Sequence, residues 1–396
     1  MKKILSLLSV VVIFNACQMN ESDRSNSETE TKTEVFSVGE LKSPVPEMLP
    51  LVESKTIKNI ILLIGDGNGL AQISSGQIGL VGADGLLHMQ TLPVTGFVKT
   101  HSSDNLITDS ASGATAFSCG LKTYNGAIGV DPDSAACKTI LELAEEKGLS
   151  TGLISTSSIT HATPASFAAH VERRSMQEEI AADFLDSGVD VFLGGGVKWF
   201  APAQRSDSVD LLEQFQTVGY EILLNEEELD NSETNQLLGL FAEDGFERAE
   251  GEPSSAKMTS KALDILSQNE NGFFLMVEGS QIDWAGHDND VEYVLREIED
   301  FDAAIKTVLN FAVQDGETLV IITADHETGG MTMQRQQNNG KELEVYWTTG
   351  SHTGIPVPLM AYGPQALEFM GWRDNTYVGQ KLSELLQVGE LPQVFP

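Results

Sequence analysis

Cysteine, basic residues and long apolar runs are all scarce in this sequence, and each shortage excludes a class of protein. Three cysteines among 396 residues are too few for a disulfide framework. Lysine and arginine number 24 against 58 aspartates and glutamates, and the formal net charge of -34 argues against a nucleic-acid partner because it repels a polyanion. No apolar run approaches the roughly 18 residues that a membrane-spanning helix needs.

The N-terminus has the layout of an export signal. Lys2 and Lys3 precede an apolar run over residues 4–14, which is too short to span a bilayer. The run leads to Cys17 through a segment that resembles a bacterial lipoprotein box, so we predict export with a lipid on Cys17. The alternative is ordinary signal cleavage after Ala16.

The rest of the chain divides by composition. Residues 18–55 are predicted to be a flexible tether, because polar residues dominate its first part and apolar periodicity is nearly absent. Residues 56–396 are predicted to form a single domain. A stretch at about residues 201–252 has fourteen acidic residues against Arg205 and Arg248, and we expect it to be a surface insertion.

Short apolar runs alternate with amphipathic helical patterns along the predicted domain. Runs at residues 59–64, 273–277 and 318–323 have the length of buried strands, and residues 291–313 repeat apolar side chains every three or four positions. This alternation indicates an α/β fold. The predicted architecture is a doubly wound, mostly parallel central sheet with helices on both faces and small surface insertions.

Polar residues suited to binding metal or phosphate follow several of the predicted strands. In open α/β sheets, ligands bind beyond the carboxyl ends of the strands. The residues at these ends are Asp66, Glu278, Asp325, His326 and the segment from His161 to Thr163. A lone acid after a strand is more often a helix cap, whereas several converging acids favour a metal site.

Three further residues extend the candidate metal ligands. Asp283 and His287 are one helical turn apart, so both side chains can face one ion, although such a pair alone is more often a surface hydrogen bond. His352 lies in a loop flanked by glycines. Carboxylate with imidazole suits zinc. Oxygen ligands suit magnesium, and the candidates are Asp66, Thr163 and Glu278.

A candidate nucleophile opens a stretch of small residues. Ser110 is followed by Ala, Ser, Gly and Ala, which favour a closely packed helix with Ser110 at its N-terminus. There the backbone N–H groups and the helix dipole attract an anion. The competing interpretation is that Asp109 or Ser110 only caps the helix.

Six of these motifs, read together and in order, strongly resemble the alkaline phosphatases. The resemblance covers the chain from about Lys58 to Gly363. The motifs are Gly65-Asp66-Gly67, Thr108-Asp109-Ser110-Ala111, Ala162-Thr163-Pro164-Ala165, Glu278-Gly279-Ser280-Gln281-Ile282-Asp283, Ala324-Asp325-His326 and His352-Thr353-Gly354. The resemblance implies metal-dependent hydrolysis of phosphate monoesters through a phosphoserine intermediate.

The resemblance also implies a role for each motif residue. Ser110 is implied as the nucleophile, Arg174 as the residue that binds phosphate, and Asp109 as the residue that orients this arginine. The implied cofactors are two Zn2+ and one Mg2+ per chain. The implied ligands are Asp283, His287 and His352 for the first zinc, Asp66, Asp325 and His326 for the second, and Asp66, Thr163 and Glu278 for magnesium.

Three positions depart from the best-known bacterial pattern of the family. His161 replaces an acid, Trp284 replaces a lysine, and Thr328 replaces a second histidine. His161 is therefore a candidate ligand that leaves the identity of the third metal open, and Trp284 is a candidate substrate contact. Twenty-five residues separate His326 from His352, so the homodimer that the resemblance implies is expected to be weaker.

The implied substrates are small phosphate monoesters, handled in the periplasm or at the cell surface. Contact with a membrane is expected only through the lipid on Cys17. Sulfatases, phosphodiesterases and cofactor-independent phosphoglycerate mutases resemble this fold, but Ser110 with Glu278, Thr163 and Arg174 favours monoester hydrolysis. An inactive lipoprotein that binds phosphate or zinc would be expected to have lost a ligand, and every expected ligand is present.

Overall fold

The computed structural model describes residues 32–395. The predicted signal at residues 1–17, with Cys17, and the first part of the predicted tether lie outside the described residues. Within residues 32–395, no helix combines the length and apolar character needed to cross a membrane.

Strands and helices alternate along most of the described chain. The strands are β1 Lys32–Ser37, β2 Asn59–Gly65, β3 Val94–Lys99, β4 Ser150–Ser158, β5 Val191–Gly195, β6 Glu221–Leu223, β7 Leu237–Leu240, β8 Phe273–Gly279, β9 Thr318–Thr323, β10 Glu327–Thr328, β11 Thr332–Gln337, β12 Glu342–Trp347, β13 His352–Thr353, β14 Val357–Tyr362 and β15 Gly371–Asp374. The helices are α1 Leu70–Val81, α2 Ser110–Cys119, α3 Ile140–Glu146, α4 Ala162–Ala168, α5 Gln177–Leu185, α6 Leu211–Thr217, α7 Glu226–Asn231, α8 Ser255–Leu266, α9 Gln281–Asp288, α10 Val291–Asp315 and α11 Asn375–Leu386.

One large sheet organises the molecule. Within residues 32–395 it has ten strands in the order β15-β3-β14-β9-β2-β8-β4-β5-β7-β6. Every pairing is parallel except the two that β14 makes with β3 and β9. The prediction of an α/β fold with a mostly parallel central sheet is confirmed.

The central strand β2 shows why helices cover both faces of the sheet. Its residues are buried throughout, and Ile60 and Leu62 join the core on one face while Ile61 and Leu63 join the core on the other. The first face packs against α2, α3, α4 and α11, and the second against α1, α8 and α10. A strand with two apolar faces is stable only between two helical layers.

The strand order brings the predicted polar residues to one edge. The neighbouring strands β9, β2, β8 and β4 run parallel, so their carboxyl ends lie side by side. Asp66 follows β2, Asp325 follows β9, Glu278 is the next-to-last residue of β8, and His161 follows β4. Residues from four distant parts of the sequence therefore meet in one small region.

The acid-rich stretch at residues 201–252 is more than a surface insertion, so that prediction needs correction. Its strands β6 and β7 extend the central sheet at one edge, and Phe215 and Leu238 are fully buried. The acidic side chains lie on the helices and turns around these short apolar runs. Composition counted over the whole stretch concealed the strands.

The described part of the predicted tether also needs correction. Strand β1 pairs antiparallel with β12, and β12 pairs with β11, to form a separate three-stranded sheet. Phe36 is buried in the core that lies against α1 and α10. Residues 32–37 are thus an ordered strand. The assignment of residues 56–396 to a single domain stays a prediction.

The two cysteines of the described chain are not bridged. Cys119 ends α2 and is fully buried, as is Cys137. The Cys119 thiol donates to the Cys137 carbonyl at 3.5 Å, and burial raises the pKa of this thiol well above its usual value. Both residues therefore act as small apolar side chains in the core.

Glu145 gives a prediction about stability and pH. Burial raises the pKa of Glu145 to about 7, against a lowering by the Thr151 hydroxyl, so the folded state favours the protonated acid. The protonated Glu145 side chain therefore stabilises the folded state fully at pH values below the pKa of the unfolded chain. This contribution is lost as the pH rises through about 7. We expect Glu145→Gln to be more stable than the parent at pH 9 by about 1 kcal/mol, a value reduced for partial solvent exposure, with little difference near pH 4.

Urea unfolding at both pH values measures this difference. The matched control is Glu179→Gln, which removes an exposed carboxylate from α5. An advantage of Glu145→Gln that is equal at both pH values would contradict the argument.

Candidate active site

Ser110 begins helix α2, as the run of small residues predicted. One carboxylate oxygen of Asp109 accepts the backbone N–H of Ser112 at 3.0 Å, which caps the helix. Gly113 allows α2 to lie against the end of β9, because a Cβ there would be only 3.1 Å from the Asp325 side chain. The Ser110 hydroxyl is buried and lies 3.4 Å from Nε2 of His326.

Asp283, His287 and His352 form the first cluster of possible ligands. Nδ1–H of His287 donates to the Gly350 carbonyl at 2.9 Å, and Nδ1–H of His352 donates to the Thr108 carbonyl at 2.9 Å. These bonds turn both Nε2 atoms toward Asp283, at 3.3 Å and 3.5 Å from its oxygens. Both imidazoles are thereby aligned to bind one metal ion.

Asp66, Asp325 and His326 form the second cluster, directly beside Ser110. Nε2 of His326 is 3.5 Å from one oxygen of Asp66 and 3.2 Å from one oxygen of Asp325. The His326 and His352 rings stack with centroids 3.6 Å apart, so the first and second clusters adjoin. Burial lowers the pKa of His326 well below its usual value, which keeps the imidazole neutral as a ligand requires.

Asp66, His161 and Glu278 form a third cluster, which shares Asp66 with the second. Thr163 is fully buried on α4, and its hydroxyl lies beside the Glu278 carboxylate. The other carboxylate oxygen of Glu278 accepts the Ser280 hydroxyl at 2.7 Å. Every candidate ligand predicted from the sequence therefore lies in or beside one of the three clusters.

The carboxylates of these clusters are destabilised as anions by their surroundings. Burial raises the pKa of Glu278 to about 7 and that of Asp325 to about 6. For Asp66, burial and then the neighbouring Asp325 raise the pKa well above its usual value. Both oxygens of Asp66, and one each of Glu278 and Asp325, accept no hydrogen bond from the described part of the chain. Such oxygens fit divalent cations, which would compensate the charge.

The first cluster differs because its histidines stabilise its acid. The pKa of Asp283 is below its usual value: burial opposes this, but the hydrogen bond from His287 and the nearby imidazoles outweigh it. The same hydrogen bond raises the pKa of His287 to about 9. Below about pH 9, a metal ion that binds here displaces a proton from His287, so its affinity increases with pH up to that value.

Arg174 reaches the site from the segment after α4. Its guanidinium donates to the second carboxylate oxygen of Asp109 at 3.3 Å and approaches Nε2 of His161 at 3.1 Å. Asp109 therefore caps the Ser110 helix with one oxygen and holds Arg174 with the other. Arg173, its neighbour, is exposed.

Trp284 and His161 lie against each other at the edge of the site. Their rings meet edge to face with centroids 6.1 Å apart. The indole also covers Gly245, where a Cβ would be 2.4 Å from the ring. Burial, followed by the charge of Arg174, lowers the pKa of His161 to about 3, so this imidazole is neutral.

Thr328 is a site residue whose role sequence reasoning missed. Its hydroxyl donates to Asp283 at 2.5 Å and lies 3.2 Å from Nδ1 of His326. Because the single hydroxyl proton goes to the carboxylate, the oxygen accepts from Nδ1–H of His326, which leaves Nε2 free to ligate. Thr328 lies two residues after the predicted ligand His326, and this proximity could have indicated a role. The sequence does not show, however, where the hydroxyl points.

A parallel sheet with a serine at a helix N-terminus, an arginine beside it and three clusters of buried ligands defines a metal-dependent hydrolase of phosphate esters. A family model described as alkaline phosphatase matches residues 57–344. Alkaline phosphatase 3 of Bacillus subtilis (strain 168) is 36% identical, with 84% of this chain and 89% of that protein covered. The chain belongs to the alkaline phosphatase family. As a member, it is a metal-dependent enzyme that hydrolyses phosphate monoesters.

Solved structures agree with this assignment. Alkaline phosphatase from the Antarctic bacterium TAB5 is 42% identical, with 85% of this chain and 100% of that chain covered, at a TM-score of 0.79. A variant of that enzyme, in which a histidine is replaced by glutamate, has Mg bound in the M3 site. It is 41% identical, with 85% of this chain and 99% of that chain covered, at a TM-score of 0.78.

Thr328 generates the prediction from this geometry. Thr328→Val keeps the shape but removes the hydroxyl that orients Asp283 and His326, whereas Thr328→Ser keeps the hydroxyl. We expect metal affinity to fall about 10- to 100-fold in the valine variant, as is typical when such a partner is lost, and to change little in the serine variant. Metal content after dialysis against buffered zinc measures the effect. Equal zinc retention by the valine and parent proteins would contradict this role.

Proposed function

We propose that this enzyme acts through a phosphoserine on Ser110, with two Zn2+ and one Mg2+ as cofactors. One observation carries the proposal: a buried serine hydroxyl at a helix N-terminus lies 3.4 Å from Nε2 of His326, a member of the second ligand cluster. A serine in this position can accept the phosphoryl group while its charge is compensated on several sides.

The clusters divide between the proposed metals by donor chemistry. The mixed carboxylate and imidazole sets of the first two clusters suit zinc. Their proposed ligands are Asp283, His287 and His352 for one ion and Asp66, Asp325 and His326 for the other. When bound, such ions supply positive charge that favours the ionised Ser110 hydroxyl and neutralises the departing oxygen.

The third cluster is proposed for magnesium. Asp66, Thr163 and Glu278 provide oxygen ligands, which magnesium prefers. The bound Mg in the M3 site of the TAB5 variant supports a third metal position in the family. His161 adds a nitrogen donor to the same cluster, and through this donor zinc can compete with magnesium for the position.

Arg174 is proposed to hold the phosphate. Its guanidinium can bind two phosphate oxygens at once, and Asp109 fixes its orientation through the hydrogen bond at 3.3 Å. The N-terminus of α2, which Ser110 begins, also favours an anion. Trp284 is proposed to border the phosphate site, where it offers one neutral donor.

The reaction then consists of two in-line displacements at phosphorus. In the first, Ser110 loses its proton to solvent, its oxygen bonds to phosphorus, the bond from phosphorus to the alcohol oxygen breaks, and the alcohol leaves after taking up a proton. In the second, a water oxygen bonds to phosphorus and loses a proton, the bond to the Ser110 oxygen breaks, Ser110 takes up a proton, and inorganic phosphate leaves. Two inversions give net retention of configuration at phosphorus.

Three proposals concern the setting of the enzyme. Its substrates are small phosphate monoesters of broad type. Export with a lipid on Cys17 would place it in the periplasm or at the cell surface, as the pattern of residues 1–17 indicates. A homodimer follows from family resemblance. Release of the alcohol from a phosphate monoester, a phosphate diester and a sulfate ester, each with and without chelator, tests the reaction class.

Ser110→Ala tests the nucleophile. Alanine fits the helix start and leaves the ligand clusters in place, so we expect the variant to fold and retain metal but to lose turnover by at least about a hundredfold. Acid quenching of the parent during turnover of a labelled monoester should trap phosphate on Ser110 alone. Ser118→Ala, on the same helix, is the control and should keep its activity. Label on another residue would contradict the assignment.

Trp284→Lys tests the charge near the phosphate. A lysine here would strengthen attraction to bound phosphate by roughly 1 kcal/mol at an effective dielectric near 20, which corresponds to about fivefold tighter inhibition by phosphate. We also expect a lower maximal rate, because product would leave more slowly. Trp372 is exposed, and Trp372→Lys is the control that adds the same charge at the surface. Unchanged or weaker inhibition by phosphate would refute the charge argument.

A further inference from the structure

The N-terminal strand β1 lies next to two segments that carry the first ligand cluster. It pairs along its whole length with β12, from Lys32 opposite Trp347 to Ser37 opposite Glu342. Trp347 ends β12, and the loop that follows leads to His352. On its other side, β1 approaches the junction between α9, which bears Asp283 and His287, and α10.

Glu34 joins these two segments directly. One of its carboxylate oxygens accepts the backbone N–H of Val291 at 2.9 Å and the indole N–H of Trp347 at 3.0 Å. Val291 is the first residue of α10, where a carboxylate also interacts favourably with the helix dipole. Thus a single oxygen links the start of α10 to the end of β12.

Lys32 adds a contact at the end of the ligand helix. Its ammonium group donates to the carbonyls of Asp288 and Asn289 at 3.1 Å and 2.7 Å. Asp288 is the last residue of α9, and Asn289 has the left-handed conformation that ends the helix. A cation at this end satisfies free carbonyls and complements the helix dipole.

Trp347 transmits this restraint to the loop that carries His352. Its side chain is buried against Gly329, where a Cβ would lie 2.5 Å from the ring. The Gly329 carbonyl accepts the N–H of Thr348 at 3.1 Å, and its N–H donates to Ser351 at 3.0 Å. Movement of the indole would therefore shift the whole loop, including the carbonyl that orients His287.

We propose that strand β1 fixes the two halves of the first ligand cluster in position relative to each other, with Glu34 as the positioning residue. We call this role of β1 the brace. The halves are α9, with Asp283 and His287, and the loop that ends at His352. The proposal rests on the proposed zinc ligands. It assigns a role in metal retention to a segment that precedes the first strand of the central sheet.

Glu34→Ala tests the brace in the purified holoenzyme. We expect zinc release to a chelator to accelerate about tenfold, in the range found when groups that orient metal ligands are removed. The zinc concentration for half-maximal activity should rise by a similar factor, with full activity at excess zinc. Hydrogen exchange should increase in peptides that span residues 281–291 and 345–353.

Two further variants separate positioning from general stability. Glu34→Gln keeps an oxygen that can accept both N–H groups, so it should restore zinc retention to within about twofold of the parent. Among residues 32–395, the Glu344 carboxylate of β12 bonds only to Tyr346 and Gln337 of the small sheet, so Glu344→Ala should leave zinc retention unchanged. If Glu34→Ala does not fold, zinc release, the zinc concentration for half-maximal activity and hydrogen exchange are measured in Lys32→Met instead.

Each outcome decides the proposal. Unchanged zinc release in Glu34→Ala overturns it, even if hydrogen exchange increases, because Glu34 would then only stabilise the fold. Zinc loss in Glu344→Ala equal to that in Glu34→Ala also overturns it. Failure of the zinc assignment is distinguished by Asp283→Ala: if this variant retains all its zinc, the ligand set is wrong, whatever Glu34 does.

Discussion

Several carboxylates are buried together at the carboxyl ends of β2, β8 and β9, and the arrangement of the site depends on how their negative charge is compensated. Asp66, Glu278 and Asp325 are fully buried there, and Asp283 is nearly so. A buried carboxylate without a partner is unstable as an anion, and several together repel one another. The parallel strand order places them within a few ångströms, so the site is stable in its charged form only with cations. The dependence of this family on metal follows from that arrangement.

The groups around the ligands serve mainly to fix their direction. Backbone carbonyls of Thr108 and Gly350 accept the Nδ1–H groups of His352 and His287, so the nitrogens that face the metal position are determined by main-chain geometry. Asp109 joins the Ser110 helix to Arg174 in the same way. Orientation therefore depends on loops whose positions are set by distant elements, and the small sheet formed by β1, β12 and β11 is one of these.

Local pattern was sufficient to predict the mostly parallel sheet and the candidate ligands that gather at its edge, but not the contacts between distant segments. Asp66 and Asp325 could be located because each directly follows a buried apolar run, and Ser110 because small residues follow it. Strand β1 could not be found, since six residues of mixed polarity become a strand only by pairing with residues 342–347, about three hundred positions away. The role of Thr328 was missed because a hydroxyl has the same sequence signature whether or not it bonds to a candidate ligand.

The stacked rings of His326 and His352 connect the first and second clusters by direct contact. With ring centroids 3.6 Å apart and an angle of 20° between the planes, neither imidazole can rotate or shift without displacing the other. A group that fixes one ring therefore also restricts the other ring. Because such coupling is reciprocal, a substitution that disorders one cluster is expected to loosen the other.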